Sequence, residues 1–341
     1  MELLCAGMPD LYPLLLLPEF VERVWGTRDL APIYDVKIGA TQQPVGEVWL
    51  TGDRCCVANG SLAGRDLAEL SRVFGSELIG EAAGVGGRFP LLIKFLFPQQ
   101  KLSVQVHPDD AAARAAGEAC GKTECWYIVS AEPNAQIALG LKPGTTREAL
   151  KQAIEETRAE ELLNWMTLKV GDMFYADAGT VHAIGPGSVI VETQQNSDTT
   201  YRLYDYGRGR QLHVQQGMAA MKEKTHAGKV LRNGFTPEGN DWAVRLINSP
   251  CFEVSRSRLR AGQEQLVTRH LPPTSVQVLV ALNGSGSVSV KGSDAVTFSK
   301  GQAVVVPAKI DKFSVSPQPE LEYMLMRLPQ GETEQPETII E

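Results

Sequence analysis

The chain has no run of lysine and arginine that could follow a phosphate backbone, and 33 basic against 40 acidic residues leave a net charge of -7. Binding to nucleic acid or to an anionic membrane surface is therefore not expected. Long apolar runs are also missing. Leu14 to Leu17 is bracketed by Pro13 and Pro18, with Glu2 and Asp10 upstream in place of a basic segment, so neither a secretion signal nor a membrane span is expected. The six cysteines, at 5, 55, 56, 120, 125 and 251, contain no C-x-x-C pair, and the adjacent Cys55 and Cys56 cannot form an unstrained bridge. They are read as reduced thiols of a cytoplasmic protein. Histidine is scarce, at five residues, so each imidazole can be weighed singly.

Short Val, Ile, Leu and Tyr runs separated by turn residues predict a mostly β protein. Strands are expected at Pro90 to Phe97, Leu102 to His107, Cys125 to Ser130, Met173 to Ala176, Ser188 to Thr193 and Thr200 to Tyr204. A second series covers Phe252 to Leu259, Val276 to Leu282, Gly286 to Val290, Ala303 to Val306 and Phe313 to Val315. Helices are expected at Leu62 to Leu78, at Asp109 to Ala119 with Asp109 as N-cap, and at Thr145 to Trp165 with a Thr145/Glu148 capping box. At 341 residues the chain exceeds one ordinary core, and a weak repeat suggests duplication. Val170 to Ala178 aligns with Lys300 to Ala308, a register that sets His182 opposite Lys312. Two sandwich or small-barrel units follow, residues 1–223 and 242–341, with 224–241 as connector and a tail from Pro329 that is mobile until its last few residues.

Ligand-type residues cluster in the first unit. On an extended strand Gln105 and His107 share one face while Val104 and Val106 take the other, and Pro108 ends the strand. Glu124 follows seventeen residues after His107, and the turn Ala178-Gly179-Thr180-Val181 presents His182. Two imidazoles, one carboxylate and one amide oxygen make a mixed N/O shell suited to zinc or another divalent first-row metal. His213, His226 and His270 are read as structural. With only His270 and Lys312 in prospect, the second unit is expected to hold no metal.

Several motifs in fixed order resemble the type I phosphomannose isomerases: Phe89 to Leu96, Leu102 to Asp110, Gly121 to Tyr127, Gly179 to Ala183, and Asn196-Ser197-Asp198 with Arg202. The resemblance spans roughly residues 10 to 325. It implies a duplicated cupin, with a catalytic N-terminal unit carrying helical insertions and a non-catalytic C-terminal unit, in the short bacterial form. It also implies interconversion of mannose 6-phosphate and fructose 6-phosphate using one zinc per chain. Carried over residue by residue, it makes Gln105, His107, Glu124 and His182 the zinc ligands and Arg202 the active-site arginine. Lys94, Lys122 and Glu192 match positions lining the family's pocket. Two departures, Val48 and the segment Leu96-Phe97-Pro98, are expected near the pocket's edge and bear on fine specificity.

Aldose–ketose isomerisation moves a proton between C1 and C2 through a cis-enediol while negative charge grows on the carbonyl oxygen. A metal acting as Lewis acid contributes several kcal/mol, and a general base about 10² to 10⁴ in rate. Glu192, Lys122 and a metal-bound hydroxide are candidates for that base. Asn196-Ser197-Asp198 reads as a hairpin turn with Glu192 and Arg202 five residues either side of Ser197, which predicts a facing Glu–Arg pair. For the substrate phosphate, Lys94 is the first choice, with Arg202 and Lys122 as alternatives. The chain is expected to act as a monomer. A non-catalytic metal- or sugar-binding cupin is the alternative class, and an iron dioxygenase a third on fold analogy alone. A binder has no need of Lys94, Lys122, Glu192 and Arg202 beside the four ligands, which favours the enzyme.

Overall fold

The computed structural model describes residues 10–83, 87–231, 243–268, 274–329 and 332–340. The first part of the chain contains β1 (Leu14–Leu16), β2 (Glu19–Thr27), β3 (Val45–Trp49), α1 (Leu67–Phe74), α2 (Ser76–Ile79), β4 (Leu91–Leu96), β5 (Val104–Val106), α3 (Asp110–Ala115), β6 (Glu124–Ala131) and β7 (Gln136–Leu141). Then come α4 (Arg147–Glu155), β8 (Leu163–Thr167), β9 (Met173–Ala176), β10 (His182–Ile184), β11 (Ser188–Gln195), β12 (Tyr201–Tyr204), α5 (Val214–Ala220) and β13 (Gly228–Val230). The second part is β14 (Ala243–Asn248), β15 (Glu253–Arg260), β16 (Gln265–Thr268), β17 (Gln277–Ser289), β18 (Val296–Ser299), β19 (Ala303–Val306), β20 (Lys312–Arg327) and β21 (Thr338–Ile339).

Two antiparallel sheets face each other in the first part. A long sheet runs β2-β3-β4-β11-β6-β9-β13-β21, and a shorter one runs β12-β5-β10-β7-β8. Between them lies a core in which Leu96, Trp126, Ile128, Phe174 and Ile190 of the long sheet meet Ile137, Leu139, Met166 and Ile184 of the short one. The outer face of the short sheet is covered by α4 and α5, with Leu150, Ile154, Val214 and Met218 against Val104, Val106, Ala183 and Leu203.

The outer face of the long sheet packs against the second unit, where Leu91, Ile93, Phe95 and Val191 join Val254, Val278, Val280, Met324 and Met326. Burial on both faces is why Leu91–Leu96 reads as a continuous apolar run rather than an alternating one. Each such side chain contributes about 1.5 to 3 kcal/mol on leaving water. The second sheet, β1-β19-β17-β20-β15-β14 with β16 and β18 attached, encloses its own apolar core of Leu279, Ala281, Val288, Phe298, Val304, Val306, Phe313, Val315 and Tyr323. The fold is thus a mostly β duplicated cupin. The termini are exchanged: β1 pairs with β19 of the second unit, and β21 pairs with β13 of the first.

Several expected elements differ. The helix expected over Thr145 to Trp165 ends at Glu155, and after a 3-10 turn the chain becomes strand at Leu163, where β8 pairs with β7. Its N-cap is Thr146, whose side chain accepts from the Ala149 amide, rather than Thr145. The helix expected over Leu62 to Leu78 breaks at Gly75 into α1 and α2. The strands expected at Val276 and Gly286 are one bent strand, β17, kinked at Gly284. There φ is +71°, and a Cβ would lie 2.0 Å from the Glu320 carbonyl oxygen, so only glycine fits. Helix α5 was not expected. Of the expected connector, residues 232–241 lie outside the described residues, and β13 forms within the remainder. In the tail, β21 is ordered by pairing, and residues 330 and 331 lie outside the described set. No helix among the described residues is long and apolar enough to cross a membrane, and their cysteines are all free thiols.

Candidate metal centre and pocket

Strand register brings the polar residues of the short sheet onto one rung. Arg202 of β12 lies opposite Gln105 of β5, which lies opposite His182 of β10. On the facing sheet Lys94, Glu192 and Trp126 form a second rung across β4, β11 and β6, and Gln194 lies opposite Glu124 one pleat away. Directly opposed residues of an antiparallel pair project to the same side, so both rungs point into the first barrel.

His107, Glu124 and His182 converge there, with one ligand atom from each within 4.8 Å of the others. All three are at most 2% exposed. Each imidazole has its Nδ1 on a backbone carbonyl, His107 on Thr199 and His182 on Thr180, both at 2.9 Å. Donation from Nδ1 leaves the Nε2 lone pairs facing inward. Those nitrogens lie 3.5 and 3.0 Å from Glu124 Oε1, an oxygen with no hydrogen-bond donor. Two inward-facing imidazole nitrogens beside a buried carboxylate oxygen that has no donor make a mixed N/O set, and this donor set fits a divalent metal.

Gln105 lies beside the cluster. Its amide lies between His182 Nε2, at 3.1 Å, and Ser103 Oγ, at 3.0 Å. Turning the amide end for end presents Oε1 to the centre while Nε2 donates to Ser103. Lys122 closes the opposite side, donating to Glu124 Oε2 and, at 3.1 Å, to His107 Nε2. Burial, with the Lys122 ammonium adding to it, brings the His107 pKa down to about 4, so the ring is neutral and able to ligate. Burial pushes the Glu124 carboxyl up, but Lys122 and the two imidazoles together outweigh it and hold it well below the usual range.

A cavity of about 460 Å³ reaches the centre's neighbours Gln105 and Lys122, and its walls also include Lys94, Glu192, Arg202, Glu47 and Arg210. The cavity therefore unites the Lys94, Lys122, Glu192 and Arg202 expected at the site. The facing Glu192–Arg202 hairpin pair is overturned. After Asn196 the chain crosses from the long sheet to the short one, so β12 pairs with β5 and not with β11. Glu192 instead accepts from Trp126 Nε1 at 2.7 Å and pairs with Lys94 at 2.9 Å. Arg202 donates to the Gln211 carbonyl at 2.9 Å, and its Nε has no partner. Burial, reinforced by the nearby Arg210 charge, lowers its pKa.

Glu47 was missed, although a carboxylate inside an apolar strand is the same signal that singled out Lys94. It pairs with Arg23 at 2.8 Å, accepts from Trp49 Nε1 at 2.7 Å and lies 3.6 Å from Lys94. Arg210 had no local signal, since its role depends on Asp205, which both Arg208 and Arg210 grip. Of the two departures from the family pattern, Val48 is fully buried in the core between the units, on the face away from the cavity, so it bears on packing rather than specificity. Leu96 does line the cavity, whereas Phe97 is in the core.

The comparisons agree with this geometry. Residues 14–155 match the model of the phosphomannose isomerase type I catalytic domain. A mannose-6-phosphate isomerase of Bacillus subtilis is 43% identical over 315 residues, covering 89% of this chain and 95% of the relative. One from Streptococcus mutans is 34% identical over 308 residues, covering 87% and 93%. The crystal structure of mannose 6-phosphate isomerase from Bacillus subtilis superposes with a TM-score of 0.79 at 30% identity, covering 92% of this chain and 99% of that one. A mutant phosphomannose isomerase from Salmonella typhimurium shares the fold, with a TM-score of 0.75 at 17% identity, covering 93% of this chain and all of that one. With the ligand cluster and cavity in place, identity at this level over nine-tenths of its length means that the chain belongs to the type I phosphomannose isomerase family.

Proposed function

We propose that the chain is a zinc-dependent aldose–ketose isomerase interconverting mannose 6-phosphate and fructose 6-phosphate through a cis-enediol. The observation that carries this reading is the His107, Glu124 and His182 cluster, joined through its neighbours Gln105 and Lys122 to a cavity lined by charged residues of both signs. A zinc ion held by these four residues would supply Lewis acidity toward the substrate's O1 and O2.

The charge distribution orients the sugar. Lys94 is enclosed by Glu192 and Glu47, so its charge is matched, and burial's downward pull on its pKa is outweighed by these carboxylates. That makes it a holder of Glu192 rather than the phosphate ligand first chosen for it. At the other side, Arg202, Arg208 and Arg210 face the carboxylate of Asp205 and the exposed Asp198, three cations against two anions, or one charge in excess. Arg202 has no ion pair among the described residues. The phosphate dianion is accordingly assigned to Arg202 and Arg210, which places C1 and C2 toward the metal ligands. The carbon-bound proton then falls to Lys122, Glu192 or a metal-bound hydroxide, with Lys94 and Glu47 at the same end engaged in holding Glu192.

A coupled assay following fructose 6-phosphate formed from mannose 6-phosphate, on protein of measured zinc content, tests the proposal. Turnover that disappears with chelation and returns with zinc is expected. No turnover by zinc-replete protein would overturn it.

A further inference from the structure

The turn that carries the chain from one sheet to the other begins with three consecutive amides, Gln194, Gln195 and Asn196, all at the end of β11. Gln194 is 0% exposed, directly opposite Glu124 on β6. Its Nε2 donates to the Ser197 carbonyl at 2.5 Å and to the Gln195 carbonyl at 3.0 Å. Ser197 belongs to the turn whose Thr199 carbonyl receives His107 Nδ1. Gln195 acts on the other side. Its Oε1 accepts from the Thr123 amide at 2.9 Å, and its Nε2 donates to Asp110 Oδ1 at 3.0 Å, an oxygen that also accepts from the Gly121 amide at 2.7 Å. Asp110 lies three residues after His107 and Thr123 one residue before Glu124, so Gln195 clamps together the two ends of the loop between these ligands.

We propose that Gln194 and Gln195 are positioning residues for the metal centre: Gln194 holds the turn that orients the His107 ring, and Gln195 fixes the His107-to-Glu124 spacing. The sheet itself does not need them, because the backbone of β11 is already paired on both sides by β4 and β6. A fully buried amide is costly unless its hydrogen bonds are made, and an apolar side chain of similar size would fill the same space. Apart from the bond between Gln194 Nε2 and the Gln195 carbonyl, each bond the two side chains make ends on a segment that carries a ligand or its supporting carbonyl, and Gln194 Oε1 is left without a partner. Partners of this kind set ligand direction, and their loss typically weakens metal binding about 10- to 100-fold.

The inference rests on the metal reading of the site, and the experiment separates the two. Zinc affinity is measured by chelator competition on the full chain and on Gln194→Leu and Gln195→Leu, alongside the melting temperature of each metal-free protein. Zinc binding weakened about 10- to 100-fold per folded molecule is expected in both variants. In Gln194→Leu the ¹⁵N signature of the metal-free His107 ring should also shift from a single tautomer toward a mixture. A lowered melting temperature with unchanged zinc affinity and unchanged tautomer would mean a purely structural role and would overturn the proposal. If a leucine variant does not fold, Gln194→Asn and Gln195→Asn, which keep an amide but withdraw it by one methylene, carry the same comparison. A wild-type chain that takes up no zinc would sink the metal reading, and the tautomer would still decide the positioning role.

Discussion

The two barrels are built on one plan and filled in opposite ways. Strands β9 and β19 each follow a glycine at φ 85°, Gly171 and Gly301, and each leads through a tight turn into the next strand, at His182 in one and Lys312 in the other. Gln105 pairs with His182, and Thr268 with Lys312. Glu124 pairs with Ala176, and Gln277 with Val306 at the matching place. The second copy therefore has Thr268, Gln277 and Lys312 where the first has Gln105, Glu124 and His182. The counterpart of His107 by the same count is His270, which lies outside the described residues. Opposite Lys94, Glu192 and Trp126 the second copy has Ser255, Leu325 and Leu279. Among the described residues the second copy thus stands with no charged cluster in its interior, filled by an apolar core with neutral Ser255 and Gln277 at its edge, while the first keeps a charged interior at some cost to packing.

The comparison breaks most sharply at a ligand. His107→Ala should abolish zinc retention and lower kcat by at least about 10² to 10⁴, since several kcal/mol of Lewis-acid stabilisation go with the metal. Metal analysis and the coupled assay on one preparation check both, and a variant that keeps its zinc would end the assignment. Arg202→Ala should fold and bind metal normally yet lose about 10² to 10³ in kcat. Steady-state kinetics with mannose 6-phosphate decide it. A kcat near the wild-type value would remove Arg202 from the site.

Acid should act on the first barrel before the second. Burial pushes the Glu47 carboxyl up, but Lys94 and Arg23 outweigh it, and its pKa falls from 4.5 to about 2. A depressed carboxylate stabilises the fold above its unfolded pKa and loses that contribution as pH falls through the folded value. The window here is pH 4.5 down to 2, and the contribution roughly 3 kcal/mol. Urea midpoints at pH 5 and pH 3 should therefore converge in Glu47→Gln relative to wild type. Equal pH dependence in the two proteins would show that other carboxylates carry the acid sensitivity.

The convergence of His107, Glu124 and His182 was legible because each sits in a local pattern: His107 two residues after Gln105 on a strand ended by Pro108, Glu124 at the start of β6, and His182 just after a glycine turn. The apolar strands β4, β6, β11, β17 and β19 were legible from their Val, Ile and Leu runs, whereas short or charged strands such as β2, β8, β10, β14, β16 and β18 carry no comparable run and were not expected. What could not be read was which sheet a strand joins. Asn196-Ser197-Asp198 is the same turn whether β12 returns beside β11 or crosses to β5, and only packing of Leu203 beneath α5 decides it. The exchange of β1 and β21 between the units was hidden for the same reason: Leu14 finds Val305, and Ile339 finds Lys229, far along the chain. Glu47 carried the same signal as Lys94, a charge within an apolar strand, and what stayed hidden was that the two pair with each other and with Arg23 across neighbouring strands.

The smallest expected effect is also the most direct test of the division between the barrels. Lys312 occupies the position of His182, but its side chain is exposed, and it opens β20 opposite Thr268 with no ion pair among the described residues. An exposed lysine at the start of a strand contributes little to packing, so Lys312→Ala should change stability by no more than about 0.5 kcal/mol. Zinc content and kcat should match the wild-type values, because nothing links this position to the first cavity. His182→Ala at the equivalent position should lose both. Loss of metal or of most turnover in Lys312→Ala would show that the second barrel takes part in the chemistry, and the contrast between a working and a filled interior would fail.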